Sequence, residues 1–520
     1  MDNATIAERL EAFAALLDLN GSGFYTVRAY RRAAELIRST PADVAALVRT
    51  GRARGLAGIG PGIEARLREL VETGRLAELD ELEAQALPEL VGVARLLGVS
   101  SKRMRELGHA LGIRTLPELR EAAAAGRLDS VPGIGPKTAA RIEQGLADLA
   151  TARPARGMTL NRAGTLVGEI AAALSGEPAG DPRRACELSL RFAVVVPLER
   201  LADAERLPQL VGVLERDERH VVGVTAEGYP IEVVGATPAT WEAELVRAIG
   251  SPEWVAANAG RPADELPPPE LREVDAPPVP PGLLELAHVR GDLHVHTTAS
   301  DGKASVEEMG RAALELGYEY LAICDHTRAV RVVPGLDADD LRRQAGEIAA
   351  ANELLAPFRI LRGSECDILP DGSLDLPDDA LAELEWVQIS LHAGQRWGRD
   401  ALTDRVVEAM HHPAARCLSH PNGRILNHRP ENALDLERVF EVALATGVAL
   451  EVNGLPDRLD LSGTHVQEAI AAGVPIVCST DAHSVRGLRN MALSVATARR
   501  GGAPRGSVLN TLPLAELLGR

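Results

Sequence analysis

Apolar residues recur at helical spacing through the first 150 residues, as in Ile6-Ala7-Glu8-Arg9-Leu10-Glu11-Ala12-Phe13, at 45–48 and at 63–71, which predicts an all-helical region. The pattern changes after residue 155. A helical stretch at 160–174 is followed by strand-like apolar runs at 188–196, 221–224 and 231–234. Residues 262–281 are rich in Pro, Glu and Asp and read as a linker. From Val289 onward, seven short apolar runs (293–296, 320–324, 360–365, 387–392, 417–420, 449–453 and 476–481) alternate with helical segments. That alternation predicts a (β/α) barrel with its working side chains at the carboxyl ends of the strands. The expected divisions are 1–150, 155–260, a linker at 261–288, and 289–520.

Two glycine-rich turns interrupt the helical region, Leu56-Ala57-Gly58-Ile59-Gly60-Pro61-Gly62-Ile63 and Val131-Pro132-Gly133-Ile134-Gly135-Pro136-Lys137-Thr138. Each stands between an apolar helix end and a new helix, the pattern of a helix-hairpin-helix. Glycine lets the backbone turn tightly, so that the free N–H groups of the next helix can face a phosphate. Gly58, Gly60, Gly62, Gly133, Gly135 and Lys137 are therefore candidates for the DNA backbone, contacts that position a duplex without reading its sequence. A third, eroded copy is read at Leu97-Gly98-Val99-Ser100-Ser101-Lys102.

The net charge of −18 speaks against a nucleic-acid partner until its distribution is considered. Residues 1–150 hold 20 Lys plus Arg and 20 Asp plus Glu, so the whole acidic excess lies beyond them. A neutral region touching phosphates and an acidic region holding cations fit both numbers. No apolar stretch has the length of a membrane span, and the first residues, Met-Asp-Asn-Ala-Thr, lack a basic-then-apolar leader. A cytoplasmic protein, associated with the nucleoid when on DNA, is expected. The five cysteines form no CxxC pair and read as buried reduced thiols.

Nearly every apolar run of the last part closes on a metal-ligand type: His294 and His296, Asp301, His326, Glu365, His392, His420, and Asp481 with His483. Six imidazoles and three carboxylates exceed what one ion takes. A thiolate-free row of nitrogen and oxygen donors suits Zn, Mn or Fe, with Mn favoured for activity, and two or three adjacent ions would activate water against a phosphate ester. The remaining strand end, Glu451-Val452-Asn453, is read as supporting the ligands or touching substrate. Arg424 and Arg458 are candidates to hold a phosphate, since a guanidinium matches two of its oxygens.

The motifs from Asp292-Leu-His-Val-His296 through Ser479-Thr-Asp-Ala-His483 resemble the PHP phosphoesterases. That resemblance implies a distorted (β/α)₇ barrel around a trinuclear metal centre. It groups His294, His296, Glu365 and Asp481, the catalytic set, with His392 and His420 beside Glu365, and puts Asp301, His326 and His483 in the third site. The order of helix-hairpin-helix region, middle α/β domain and PHP domain further resembles the bacterial X-family DNA polymerases with a C-terminal PHP exonuclease. The implied fold is multidomain α/β, with a nucleotidyltransferase-like middle domain. The implied activity is metal-dependent phosphodiester hydrolysis on DNA, as a 3′-5′ exonuclease or end-processing repair nuclease. A histidinol-phosphatase type of phosphomonoesterase and a DNA-binding repair scaffold are the alternatives. Protein partners are not legible.

Two positions depart from that family. Where its polymerases carry two aspartates one residue apart, this chain has Arg191 and Ala193, with Glu232 at the third carboxylate position. Nucleotidyl transfer needs carboxylates on both ions, so polymerase activity is expected to be lost. Where family members with a lyase activity have a lysine after the first turn, the matching positions are Gly62 and Arg66, and arginine cannot form a Schiff base.

Overall fold

In a computed structural model of the protein, the described residues are 3–519 other than 20–23, 41, 43, 57, 80–86, 88, 89, 91, 92, 95, 96, 98, 152–155 and 396. The chain forms two compact units. One comprises Met1–Ala152 with Glu205–Asp217 and Val221–Pro230, the other Arg153–Ala204, Glu218–His220 and Ile231–Arg520.

In the first unit, helices Asn3–Leu19, Phe24–Ser39 and Pro61–Thr73 bury Ile6, Leu10, Phe13, Ile37, Leu67 and Leu70 together. Helices Ser101–Leu111, Leu116–Ala124 and Pro136–Thr151 bury a second cluster around Leu107, Leu119 and Ile142. The two glycine turns have the same hydrogen bonding. Ile59 N donates to Leu56 O and Ile134 N to Val131 O, and the following helices start with Glu64 N to Gly60 O and Ala139 N to Gly135 O. Gly58 and Gly133 have φ of +101° and +87°, which is why the turn requires glycine there. Gly98 of the eroded third copy lies outside the described residues; Ser100 caps the helix that follows, accepting from Arg103 N.

The strands Leu210–Arg216 and His220–Thr225 pair antiparallel, Leu214 and Val224 bury their apolar side in the second helical cluster, and Arg120 Nη1 donates to Leu214 O at 3.0 Å.

In the second unit, helix Leu160–Leu174 accompanies strands Glu177–Gly180, Phe192–Pro197 and Pro230–Ala236, the first pair antiparallel and the second parallel. The predicted linker is a strap instead. Leu271 and Leu284 are buried, Glu270 and Glu273 pair with Arg499 and Arg500, and Leu284 N donates to Ala503 O. Glu270 and Glu273 thereby neutralise the arginines that end helix Met491–Arg500.

Seven parallel strands follow: β1 (Gly291–Val295), β2 (Tyr320–Ile323), β3 (Arg359–Asp367), β4 (Trp386–Ser390), β5 (Cys417–Leu418), β6 (Ala449–Asn453) and β7 (Ile476–Ser479). They pair in sequence order, and a parallel bridge between Val295 and Ala482 brings β1 against the end of β7. The strands are buried on both faces, which accounts for their unbroken apolar runs. Leu293, Tyr320, Ala322, Cys324, Leu361, Trp386, Cys417, Ala449 and Val477 form one core, closed off by Leu509 and Leu517 of the C-terminal segment. Val295, Leu321, Ile323, Ile360, Val387, Leu450 and Ile476 pack outward under the helices. All five cysteines are buried and unbridged. Among the described residues, no helix is long and apolar enough to cross a membrane.

Candidate metal centre

Strand periodicity carries the chemistry to one end of the barrel. The inward column of β2 runs Tyr320, Ala322, Cys324 and on to His326. That of β3 runs Leu361, Gly363, Glu365, that of β4 Trp386, Gln388, Ser390, His392, and that of β6 Ala449, Glu451, Asn453. Two residues break this parity, and the backbone is irregular at both. The β1–β2 register shifts between Asp292 and Val295, and His294 lies in that shift. His420 has φ of +25°. Asp481, at the end of β7, is left-handed at +52°, a conformation kept for function rather than for ease.

The nine residues converge. Glu365 is central: Oε1 lies 2.9 Å from His420 Nε2 and 3.4 Å from His392 Nε2, while Oε2 lies 2.8 Å from His326 Nδ1, 3.5 Å from His294 Nε2 and 3.7 Å from His296 Nε2. Asp481 Oδ1 is 3.1 Å from His296 Nε2, and Asp301 Oδ2 is 3.3 Å from His483 Nε2. Donor atoms meet within 4.8 Å in three groups: His294, His296 and Asp481; His296, Asp301, His326 and His483; and His326, Glu365 and His392. His326, expected only beside Asp301 and His483, therefore also reaches Glu365.

The donor set fits divalent ions. His326 Nδ1 and Glu365 Oε2 are 2.8 Å apart yet make no hydrogen bond to each other or to anything else, and His296 Nδ1 is likewise buried and unpartnered. His294 Nε2 and His296 Nε2 approach to 3.2 Å. Imidazoles and carboxylates crowded together in a dry pocket, with buried polar atoms left unpartnered, are costly unless a cation takes them up. These side chains are suited to hold metal ions.

Other carboxylates hold the ring. Glu451 Oε1 lies 2.6 Å from His294 Nδ1, leaving Nε2 for the centre, and Glu451 also accepts from His420 N, Ser479 Oγ and Asn453 Nδ2. Asn453 Nδ2 donates to Asp481 Oδ2 as well. Asp367 orients His392 at 3.1 Å, and Asp325 fixes the Asp301 loop by accepting from Thr297 N, Thr297 Oγ1 and Ser300 Oγ. Sequence reasoning flagged Glu451 but missed Asp367 and Asp325. The available signal was their position, two residues after Glu365 and one before His326.

Burial opposes charge on every imidazole here, but the carboxylates of Glu365 and Asp301 outweigh it at His326 and raise its pKa to about 10; Glu365 and Asp367 raise His392 to about 9. His296 and His420 move down, first through burial, then through His326 at the former and Arg458 at the latter. Glu365 and Asp481 stay well below the usual carboxylate range because the histidines overcome their desolvation. For His326 and His392, folded values above the ordinary 6.5 mean stability that is complete below pH 6.5 and lost as pH rises through about 9 to 10. Chelated protein should therefore melt at falling temperature across that range. Metal uptake should release protons and tighten with pH, measurable by calorimetry in buffers of different ionisation enthalpy. Uptake without proton release would contradict this account.

Of the phosphate candidates, Arg424 is corrected. Its guanidinium is buried and committed to Arg458 O, Leu459 O, Glu187 and Glu431. Arg458 keeps its side chain unpaired among the described residues, close enough to His420 for its charge to act there. On the other unit, Gly58, Gly62, Gly133, Gly135 and Lys137 are exposed and Gly60 half-buried. Arg66 is paired with Glu69 and Glu78.

At the nucleotidyltransferase-like positions, Arg191 donates to the carbonyls of Arg247, Ala248 and Gly250, capping the end of helix Trp241–Ile249. Its own N–H and that of Leu190 bond Asp181 Oδ2 at 2.7 Å each. Ala193 is buried opposite Glu232 in the strand register, and Glu232 faces Arg247 at 3.3 Å. A cation and a methyl group stand where two carboxylates would be needed.

Comparison with known proteins agrees with this organisation. A PHP domain matches residues 292–453, a helix-hairpin-helix domain residues 1–76, and a SAM-like helix-hairpin-helix tandem residues 90–148. The DNA polymerase/3′-5′ exonuclease PolX of Bacillus subtilis is 30% identical over 99% of both chains. Probable phosphatases of Acetivibrio thermocellus and Syntrophotalea carbinolica are 30% and 31% identical over 37% and 31% of this chain, covering 78% and 64% of their own. With 30% identity over nearly the whole length of a DNA polymerase/3′-5′ exonuclease, and a matching PHP domain, the chain belongs to the X-family DNA polymerases that carry a C-terminal PHP domain.

Proposed function

We propose that this protein is a divalent-metal-dependent 3′-5′ exonuclease or end-processing nuclease on DNA, and that its polymerase activity has been lost. The observation that carries the first part is the gathering of Glu365, the five imidazoles around it, and Asp301, Asp481 and His483 at one end of the barrel, in a chain with two helix-hairpin-helix turns. His294, His296, Asp301, His326, Glu365, His392, His420, Asp481 and His483 would hold two or three ions, Mn favoured. Bound ions supply a water acidified to near-neutral pKa and positive charge opposite the phosphate.

The residues of the chain do the rest. Glu451 and Asp367 fix the rings of His294 and His392, so that their other nitrogens face the centre. Arg458, whose charge acts on His420, would grip the scissile phosphate, and Asn453 keeps Asp481 in place. The exposed glycine turns would carry the duplex through backbone N–H groups. The same turns speak against a free phosphomonoester as the substrate, even though the barrel resembles proteins named as phosphatases.

For the polymerase, Arg191 and Ala193 leave Glu232 as the one carboxylate of the expected three, too few to hold two ions against triphosphate and primer. The test incubates purified protein and Mn²⁺ with a 3′-recessed duplex, with and without nucleotides, beside His294→Ala and Asp481→Ala controls. Shortening from the 3′ end without extension, absent in the controls, is expected. Extension abolished by Glu232→Ala would overturn the lost polymerase. Turnover of histidinol phosphate in preference to the oligonucleotide would overturn the nuclease.

A further inference from the structure

The middle domain makes a set of contacts that nucleotidyl transfer would not need. Glu187, which follows the short helical turn Asp181–Arg184, accepts from Gly463 N through Oε1 at 2.9 Å and meets Arg424 Nη1 through Oε2 at 2.9 Å. Arg424 in turn donates to the carbonyls of Arg458 and Leu459. The two barrel loops so joined are tied again by Leu426 N to Asp457 O at 2.7 Å and by Asn422 N to Asp460 Oδ1 at 3.1 Å. Leu160 and Ala185 of the middle domain pack with Leu426 and Leu459 of those loops, and Asn427 Nδ2 donates to Gly157 O at 2.9 Å.

The tie therefore runs from one domain into the other at the rim that carries His420 and Arg458. An arginine forked onto two successive carbonyls fixes the direction of the chain between them. Here that chain is the one from which the unpaired Arg458 side chain departs. Without Glu187, the buried Arg424 guanidinium would lose its shorter carboxylate contact, keeping Glu431 at 3.4 Å, and would be free to turn toward it.

We propose that the former polymerase domain serves as a buttress for the nuclease, and that Glu187 is a positioning residue which, through Arg424, aims Arg458 at the phosphate of the DNA strand. This rests on the nuclease reading above and deepens it: strand binding depends on a domain that no longer makes DNA. Glu187 touches neither substrate nor the nine ligands, so its loss should weaken the hold on the strand and leave the centre intact.

The test uses the full chain with Mn²⁺ and a labelled 3′-recessed duplex. Glu187→Gln should raise KM roughly tenfold with kcat within about twofold, the signature of lost binding shared by ground and transition states. Bound metal per chain should not change. Arg458→Ala should show the same rise, and Glu187→Gln combined with Arg458→Ala should be no worse than Arg458→Ala alone. Asn427→Gly, which keeps the positive φ of +64° and removes only the tie to Gly157, gives a second variant should Glu187→Gln fold poorly, and it should raise KM in the same sense.

An unchanged KM in both Glu187→Gln and Asn427→Gly, additive effects in the double variant, or loss of metal alongside kcat would each overturn the proposal. Wild-type protein that shortens no DNA would instead fell the nuclease reading, and this inference with it.

Discussion

Glu365→Gln should abolish DNA shortening while leaving the fold in place. The two oxygens of Glu365 face five of the six imidazoles of the centre, His392 and His420 on one side and His294, His296 and His326 on the other. The amide keeps the shape of the side chain but removes its charge, and its nitrogen offers a donor where an acceptor is needed. Charge stabilisation by bound ions amounts to several kcal/mol, so kcat should fall about a thousandfold or more. Metal content by mass spectrometry should drop together with activity. Retained metal at full stoichiometry with full activity would show that Glu365 is a bystander in the cluster.

The second large effect is expected at Glu451, which is not one of the nine ligands but is fully buried behind two of them, His294 and His420. It takes His294 Nδ1, the His420 N–H, Ser479 Oγ and Asn453 Nδ2, with Gln388 Nε2 at 3.4 Å. Glu451→Ala leaves those donors and a charged His294 without an acceptor in a dry interior. Breaking such a buried pair costs about 3–5 kcal/mol, and loss of the group that orients a metal-bound histidine lowers metal affinity or activity by about 10–100-fold.

Burial alone would raise the Glu451 carboxyl, but His294 and its other donors hold it below the usual range. A carboxylate with a depressed folded pKa contributes stability that is present above the ordinary glutamate value and lost as pH falls through the folded one. The gap in melting temperature between wild type and Glu451→Ala should therefore be full near neutral pH and close in acid. A gap independent of pH would mean that the loss is one of packing, not of charge.

The sequence by itself determined much of this. Seven apolar runs, six of them closing on a His, Asp or Glu ligand, specify a barrel with its chemistry at one end, because strand periodicity is fixed and parallel strands buried on both faces leave polar positions only at their ends. The glycine turns and the replacement of two aspartates by Arg191 and Ala193 were equally plain, since they depend on residue type alone.

Only the tertiary structure decided the rest, because it depends on contacts between segments far apart in the chain. Which nitrogen of His294 faces the centre depends on Glu451, more than a hundred residues away, and the parity breaks at His294 and His420 arise from a register shift and a positive φ that no local pattern encodes. Arg424 looked like a phosphate ligand until the fold paired it with Glu187 of another domain. The proline-rich strap read as a linker, because its Glu270 and Glu273 find partners only once Arg499 and Arg500 have been brought beside them.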